Sequence, residues 1–242
     1  MFKETIQPTT KELIKTENNA SLMLSIENGK YFQTIQNDDT EGPIKVEINQ
    51  DQYKALENSK EKSKKSEEVE MKFLINPDTL PDGIKNELDQ YNPKEITQGY
   101  LVIDPETKTE MRVRDKNGKY YQTIKRDVEG SDGVVREEYE TEITKDQYEA
   151  MIPAAGDRIV EKTRYKIPYQ YTNKLDQQQN VTIELDIYKG NKLEGLSTAE
   201  IEFPNEEMSD EFIAPNWFGE DKTSDKRYKN QNLATQGKPE EN

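Results

Sequence analysis

Glu68, Glu70 and Lys72 alternate with Val69, Met71 and Phe73 in the stretch EVEMKFLI, residues 68–75. On an extended strand every second side chain falls on one face, roughly 6.5–7 Å from the next. Two carboxylates beside an ammonium offer oxygen ligands for a hard cation next to a charge that attracts an anion. The pattern recurs along the chain. Basic side chains share a face at Arg112 and Arg114 and at Lys162 and Arg164, with Lys125 standing singly. Acidic side chains do so at Glu138 and Glu140, Glu184 and Asp186, and Glu200 and Glu202. One such pair alone reads as the wet face of an antiparallel sheet. Many pairs, sorted by sign from strand to strand, point to a charged surface turned inward. Such a surface is costly when its charges are unpaired. The cost falls if it holds a polyanion together with divalent cations, and a triphosphate with Mg²⁺ or Mn²⁺ has that chemistry. No GxxxxGK[ST] loop is present, so side chains rather than a backbone cradle must hold the phosphates.

Composition narrows the chemistry further. The 242 residues contain no His and no Cys, which removes imidazole bases, thiolate ligands and disulfides. Any metal must be bound by oxygens, the preference of Mg²⁺, Mn²⁺ and Ca²⁺. Hydrophobic residues make up 31% and charged residues 34%, yet 13 Tyr and 6 Phe argue for a folded chain. The net charge of −15 speaks against nonspecific nucleic-acid binding. No apolar run approaches the roughly 20 residues of a membrane span, and the first residues have no signal-like apolar core. A cytoplasmic location, with no membrane and no nucleic-acid partner, is the expectation.

The elements that must position these charges are mostly strands. TEMRVRD, KYYQTIKR, EEYETEI, IVEKTRYKI, VTIELDIY and AEIEF all alternate with period two. Closing such a sheet into a barrel would remove its exposed edges. The spacing of Ile84 and Leu88 predicts a short helix after NPDTLPDG, and TKDQYEAMI predicts another with Thr144 as its N-cap. DKNG at 115–118 and EGSDG at 129–133 read as turns. SKEKSKKS at 59–66 reads as a linker, and 235–242 as a flexible tail.

Two segments echo each other. GKYFQTIQ at 29–36 matches GKYYQTIK at 118–125 in six of eight positions, and EINQDQYKAL at 47–56 matches EITKDQYEAM at 142–151 in six of ten. The first copy lacks the cations: LMLSI stands before its turn, and Gln36 replaces Lys125. Residues 1–58 are therefore expected to be an N-terminal hairpin-and-helix extension, a degenerate partial repeat offering a surface for a homodimer or a protein partner.

EVEMKFLI also resembles the ExExK signature of the CYTH domain, the triphosphate tunnel metalloenzymes. The resemblance continues in order through ITQGYLVID, MRVRDKNGKYYQTIKR, REEYETEI, IVEKTRYKI, IELDIYKGNKLEGL, STAEIEFPNEE and APNWFGEDKTSDKRYKNQNLA, over about residues 67–234. It implies a mainly β (α+β) fold whose core is an eight-stranded antiparallel closed barrel, a hydrophilic tunnel with a few short helices. It implies that Glu68, Glu70 and Glu202 bind a divalent metal, with Glu200 supporting that site. Lys72, Arg112, Arg114, Lys125, Lys162 and Arg164 would grip the triphosphate. Asp186, with Glu184 assisting, would orient a second metal or the attacking water. Lys222, Lys226, Arg227 and Lys229 compete to supply a further C-terminal cation. The implied reaction is metal-dependent hydrolysis of a triphosphate, foremost inorganic tripolyphosphate. Other activities of the family are adenylate cyclase and thiamine triphosphatase; a non-catalytic nucleotide sensor is the alternative from another class. Cyclase members carry an HF element before ExExK, and this chain has no His.

Overall fold

The computed structural model describes residues 9–16, 20–37, 42–58, 69–106, 108–127, 136–190 and 192–240. The linker at 59–66, the turn at 129–133 and Glu68 lie outside the described residues. In chain order the elements are β1 (Thr9–Lys15), β2 (Ser21–Glu27), β3 (Lys30–Gln36), β4 (Ile44–Ile48), α1 (Gln50–Asn58), β5 (Val69–Ile75), α2 (Asp82–Lys85), β6 (Lys94–Asp104), β7 (Thr109–Lys116), β8 (Lys119–Asp127), β9 (Arg136–Ile143), α3 (Lys145–Met151), β10 (Ile159–Thr172), β11 (Gln178–Lys189), β12 (Ser197–Phe203), α4 (Glu206–Asp210), β13 (Phe218–Asp221) and α5 (Asn230–Gln236). The fold is mainly β, with antiparallel pairing and a few short helices. No described helix is long and apolar enough to cross a membrane.

The chain divides into two compact units. One combines the described residues up to Asn58 with Gln98–Ile159; the other combines those from Val69 to Thr97 with those from Val160 onward. The backbone passes between them inside β6 and at the start of β10.

The first unit holds two ladders, β1-β2-β3-β4 and β6-β7-β8-β9. Among its described residues the N-terminal extension has four strands and a helix, more than the expected hairpin and helix. Both β2–β3 and β7–β8 turn through Asn-Gly. Asn28 and Gly29 have φ of 52° and 76°, Asn117 and Gly118 of 54° and 77°. Positive φ at both central residues is what a two-residue hairpin of the primed type demands. Thr144 caps α3 as expected: its side chain accepts from the Gln147 backbone while Gln147 reaches back, a capping box. One apolar core runs through both ladders, with Leu22, Leu24, Ile35, Met111 and Val113 fully buried.

The second unit holds the ladder β13-β5-β12-β11-β10. Its core uses one face of every long strand: Phe73 and Ile75 from β5, Ile201 and Phe203 from β12, Ile183 and Leu185 from β11, Ile167 from β10. Phe212 and Trp217 close it, packing on Phe73 and Phe218 respectively. The helix expected around Ile84 and Leu88 is split. α2 ends at Lys85, and a separate 3-10 turn runs Leu88–Tyr91 before Asn92 at φ 48°. Both apolar residues still pack on the core.

The expected closed eight-stranded barrel is not what the pairings show. Nine strands, β5–β13, follow the extension, and among the described residues β9 and β13 each have one hydrogen-bonded neighbour. β13 is four residues long, and its register on β5 shifts between Phe218 and Asp221. A short, irregular strand satisfies an edge without continuing the ladder. The tail expected to be free from 235 is tied down as far as Lys238, whose N–H donates to the Lys192 carbonyl at 2.9 Å.

Gly99 shows how closely the first unit is packed. A Cβ there would meet Ile152 and lie 2.8 Å from the Ala155 Cβ. Gly99→Ala is expected to destabilise the protein by about 1–3 kcal/mol through overpacking, read as a lower urea midpoint at unchanged slope.

Candidate active site

The charged faces named from the sequence are sorted by register. In the second unit, Glu200 of β12 stands opposite Lys72 of β5 and Glu184 of β11, and Glu184 stands opposite Lys166 of β10. A row Lys–Glu–Glu–Lys therefore crosses four strands. Two residues along, Asp186 stands opposite Arg164. Because side chains alternate, all of these lie on the face opposite Phe73, Leu185 and Ile201.

Most of this face is not solvated. Lys72, Lys162, Glu184, Asp186 and Glu200 are all buried, Asp186 completely. They survive burial by pairing. Lys162 Nζ lies 2.6 Å from Asp186 Oδ2. Arg164 donates from Nε to Asp186 Oδ1 at 2.6 Å, from Nη2 to Glu200 at 2.5 Å, and from Nη1 to Glu184. Lys72 Nζ lies 2.8 Å from Glu200 and 3.7 Å from Glu70. Lys72, Lys162 and Arg164 thus face Glu184, Asp186 and Glu200, three positive charges against three negative.

The titration of these groups follows. Burial alone would raise Glu200, but the Lys72 and Arg164 charges override it and hold the carboxyl well below the usual range. Glu184 is lowered against burial in the same way, chiefly by Arg164. Lys72 is raised, the charges of Glu200 and Glu70 outweighing burial. Lys162 moves the other way: burial and the neighbouring Arg164 charge lower it, despite its contact with Asp186.

Glu70 and Glu202 stand directly opposite across β5 and β12, both exposed. Two facing carboxylates repel unless a cation lies near, and oxygen-only donors suit a hard divalent ion. Glu68, the third carboxylate expected here, lies outside the described residues. Among the described residues no three acidic side chains converge as a ready metal site.

The first unit carries a second charged face. Lys125 stands opposite both Glu110 and Glu138, and Thr123 opposite Arg112 and Glu140. Lys125 pairs with Glu138 at 2.7 Å and Arg114 with Glu140 at 2.5 Å, while Thr123 donates to Glu140 at 3.1 Å. Arg112 is buried, with Glu110 at 3.8 Å and Glu138 at 3.7 Å, and its Nε has no hydrogen-bond partner. Burial opposes the Glu138 charge, yet Lys125 and Arg112 lower its carboxyl. Three of the six expected phosphate contacts, Arg112, Arg114 and Lys125, therefore lie on β7 and β8, and the other three, Lys72, Lys162 and Arg164, on β5 and β10.

Of the C-terminal cations, Lys222 is tied by its backbone to Lys72 of β5. Its N–H donates to the Lys72 carbonyl at 2.7 Å, and its Nζ sits 5.3 Å from the Tyr228 ring centre and pairs with Glu220. Arg227 instead pairs with Asp225 at 2.7 Å. Sequence reading missed the groups that aim Lys72. Thr223 Oγ1 accepts from its N–H at 3.0 Å and the Tyr228 carbonyl from its Nζ at 3.0 Å. No periodicity announces them, since both come from an irregular segment 151 and 156 residues away. Lys166, 2.6 Å from Glu184, was legible as the next same-face residue after Arg164 but was passed over. Glu110, opposite Lys125, was likewise visible in the alternation.

An inorganic triphosphatase of Nitrosomonas europaea is 40% identical over 167 residues, 69% of this chain and 96% of that protein. An inorganic triphosphatase of Acetivibrio thermocellus is 34% identical over 167 residues, 69% of this chain and 92% of that protein. A solved crystal structure described as that of a hypothetical protein matches with a TM-score of 0.50 at 37% identity, covering 71% of this chain and 99% of the other. The CYTH domain matches residues 66–237, the stretch that carries both charged faces. The chain belongs to the CYTH domain family.

Proposed function

We propose that the protein hydrolyses a triphosphate, foremost inorganic tripolyphosphate, with a divalent metal. The observation that carries the reading is the buried, charge-balanced set Lys72, Lys162, Arg164, Glu184, Asp186 and Glu200 on one face of the second unit. Buried ion pairs are weak devices for stability, and this number of them on one strand face calls for a ligand. The relatives' activity on inorganic triphosphate gives the substrate class.

Each cation is already occupied by a carboxylate. A bare polyanion would meet as many negative as positive charges there. With a divalent metal present as well, the carboxylates would hold the metal and the cations the phosphate oxygens, at little net charge. Glu70 and Glu202, with Glu68, are the residues assigned to hold Mg²⁺ or Mn²⁺, and Glu200 supports them. When bound, the metal neutralises phosphate charge and lowers the pKa of a coordinated water. Lys72, Arg112, Arg114, Lys125, Lys162 and Arg164 are the residues assigned to grip the phosphates. Asp186 and Glu184 orient the attacking water. Glu184 is poorly suited to take its proton, because Arg164 holds it acidic; Asp186 is paired with Lys162 and Arg164. Water attacks a terminal phosphorus, the bridging P–O bond breaks, and diphosphate and phosphate leave; the fixed positive charges stabilise the transition state.

Chelation is expected to abolish phosphate release from tripolyphosphate, and Mg²⁺ or Mn²⁺ to restore it. Lys125→Ala and Glu70→Gln are each expected to lower kcat/KM by about 10²-fold or more; wild-type rates in both would refute the assignment.

The pH profile gives an independent check. Lys162 is lowered below the ordinary ammonium value by burial and by Arg164. The ammonium form is present below that folded pKa and lost as pH rises through it, taking a phosphate contact with it. Lys162→Arg, which stays charged, is expected to carry the alkaline limb of kcat/KM to higher pH.

A further inference from the structure

The N-terminal ladder and β6–β9 are alike beyond sequence. Both run in the order of the chain, and their registers coincide. Leu24 pairs with Gln33 as Val113 does with Gln122, and Phe32 with Glu47 as Tyr121 does with Glu142. α1 follows β4 as α3 follows β9, and Asn49 with Gln52 repeats the capping box of Thr144 with Gln147. The ring pair Tyr31–Tyr53, centres 5.1 Å apart, recurs as Tyr120–Tyr148 at 5.1 Å.

Several contacts between these two halves come in symmetric pairs. Gln33 and Gln122, which are equivalent positions, exchange reciprocal amide hydrogen bonds, each 2.9 Å. Gln52 and Gln147, also equivalent, do the same at 3.0 and 3.1 Å. Gln52 Nε2 donates to the Glu142 carbonyl at 3.1 Å, and Gln147 Nε2 to the Glu47 carbonyl at 2.9 Å, the same bond seen from the other side. If i touches j, the equivalent of i touches the equivalent of j. That is the signature of an isologous, twofold interface, here inside one chain.

The two copies differ by face. Toward the shared core they keep identity or apolar character: Gln33 and Gln122, Ile35 and Ile124, Ile48 and Ile143, Leu24 and Val113, Leu56 and Met151. Away from it they diverge. Met23, Ser25, Gln36 and Lys45 stand where Arg112, Arg114, Lys125 and Glu140 stand in the second copy. The N-terminal copy has kept a docking face and lost the charged one.

We propose that residues 9–58 act as a built-in stand-in for a second subunit. They occupy the self-complementary face of β7–β9 and α3 through which a chain lacking them pairs with another copy of itself, and they thereby keep the full chain from dimerising by that face. Once uncovered, Met111, Val113 and Ile124 lose the apolar side chains of the N-terminal copy that share their core, and the Gln122 amide and the Gln147 Nε2 lose the partners they have there, which is costly if they stay buried. The same residues of a second copy restore both.

The chain has no Cys, so a single introduced thiol is unambiguous. In a chain cut back to residues 66–242 and carrying Gln122→Cys, sedimentation is expected to show twice the chain mass, and a short bismaleimide to join two copies at position 122. The full chain with Gln122→Cys is expected to sediment at its own mass and to remain uncross-linked. A monomeric shortened chain, or a full chain that cross-links equally, overturns the proposal. Should the shortened chain prove insoluble, a second variant decides: the full chain with residues 9–58 replaced by a copy of residues 94–151. A soluble monomer with cooperative unfolding supports the proposal, because the face then accepts its own sequence; aggregation or loss of cooperative unfolding overturns it.

Discussion

Antiparallel register across β5, β12, β11 and β10 is the constraint on which the site depends. It brings Lys72, Glu200, Glu184 and Lys166 into one line and leaves Arg164 within reach of Asp186, Glu184 and Glu200 together. The same register is fixed from behind by Phe73, Ile201, Leu185 and Ile183 in the core. A slip of one residue would turn every charge into the apolar layer and every core side chain toward the charged face. Core and site are therefore one specification: burying the hydrocarbon face correctly is what aligns the ionic face.

That alignment is held at a cost in stability. Buried charges surrender hydration worth several kcal/mol each, and even well-paired ones are often matched by apolar residues of the same size. What the network supplies is preorganisation. The Glu184 and Glu200 carboxyls are held below the ordinary carboxylate range by Arg164 and Lys72, and the guanidinium of Arg164 is fixed by three carboxylates rather than left to swing. Thr223 and the Tyr228 carbonyl fix Lys72 from a segment outside the strands of the row. A site of this kind needs little reorganisation as charge develops in a transition state.

The alternation of charged and apolar residues made the strands and the membership of the charged faces legible. It did so because period two is a local property: Arg112 and Arg114, or Glu184 and Asp186, reveal their face within three residues. Which cation meets which carboxylate was not legible, since that depends on registers between strands far apart in the chain. Lys162 and Arg164 read as a pair of equals, yet Arg164 holds three carboxylates while Lys162 is buried against Asp186 with its ammonium weakened. The positioning groups on Lys72 were invisible for the same reason, and so was the tether at Lys238. The N-terminal echo was visible, but its four strands were not. β1 has only a modest alternation, with Leu13 and Ile14 buried side by side beside a register shift.

The echo also separates what folding needs from what chemistry needs. β2, β3, β4 and α1 reach the same order, turn conformation and register as β7, β8, β9 and α3 with Met23, Ser25 and Gln36 in place of Arg112, Arg114 and Lys125. The hairpin therefore forms without those cations, and its apolar face, turn and cap suffice to specify it. Since burying Arg112 is unfavourable in itself and its Nε has no hydrogen-bond partner, folding supplies no reason for the second copy to carry the charges. On the proposed function the reason lies in the phosphates they hold, and the copy that lacks them is the internal control.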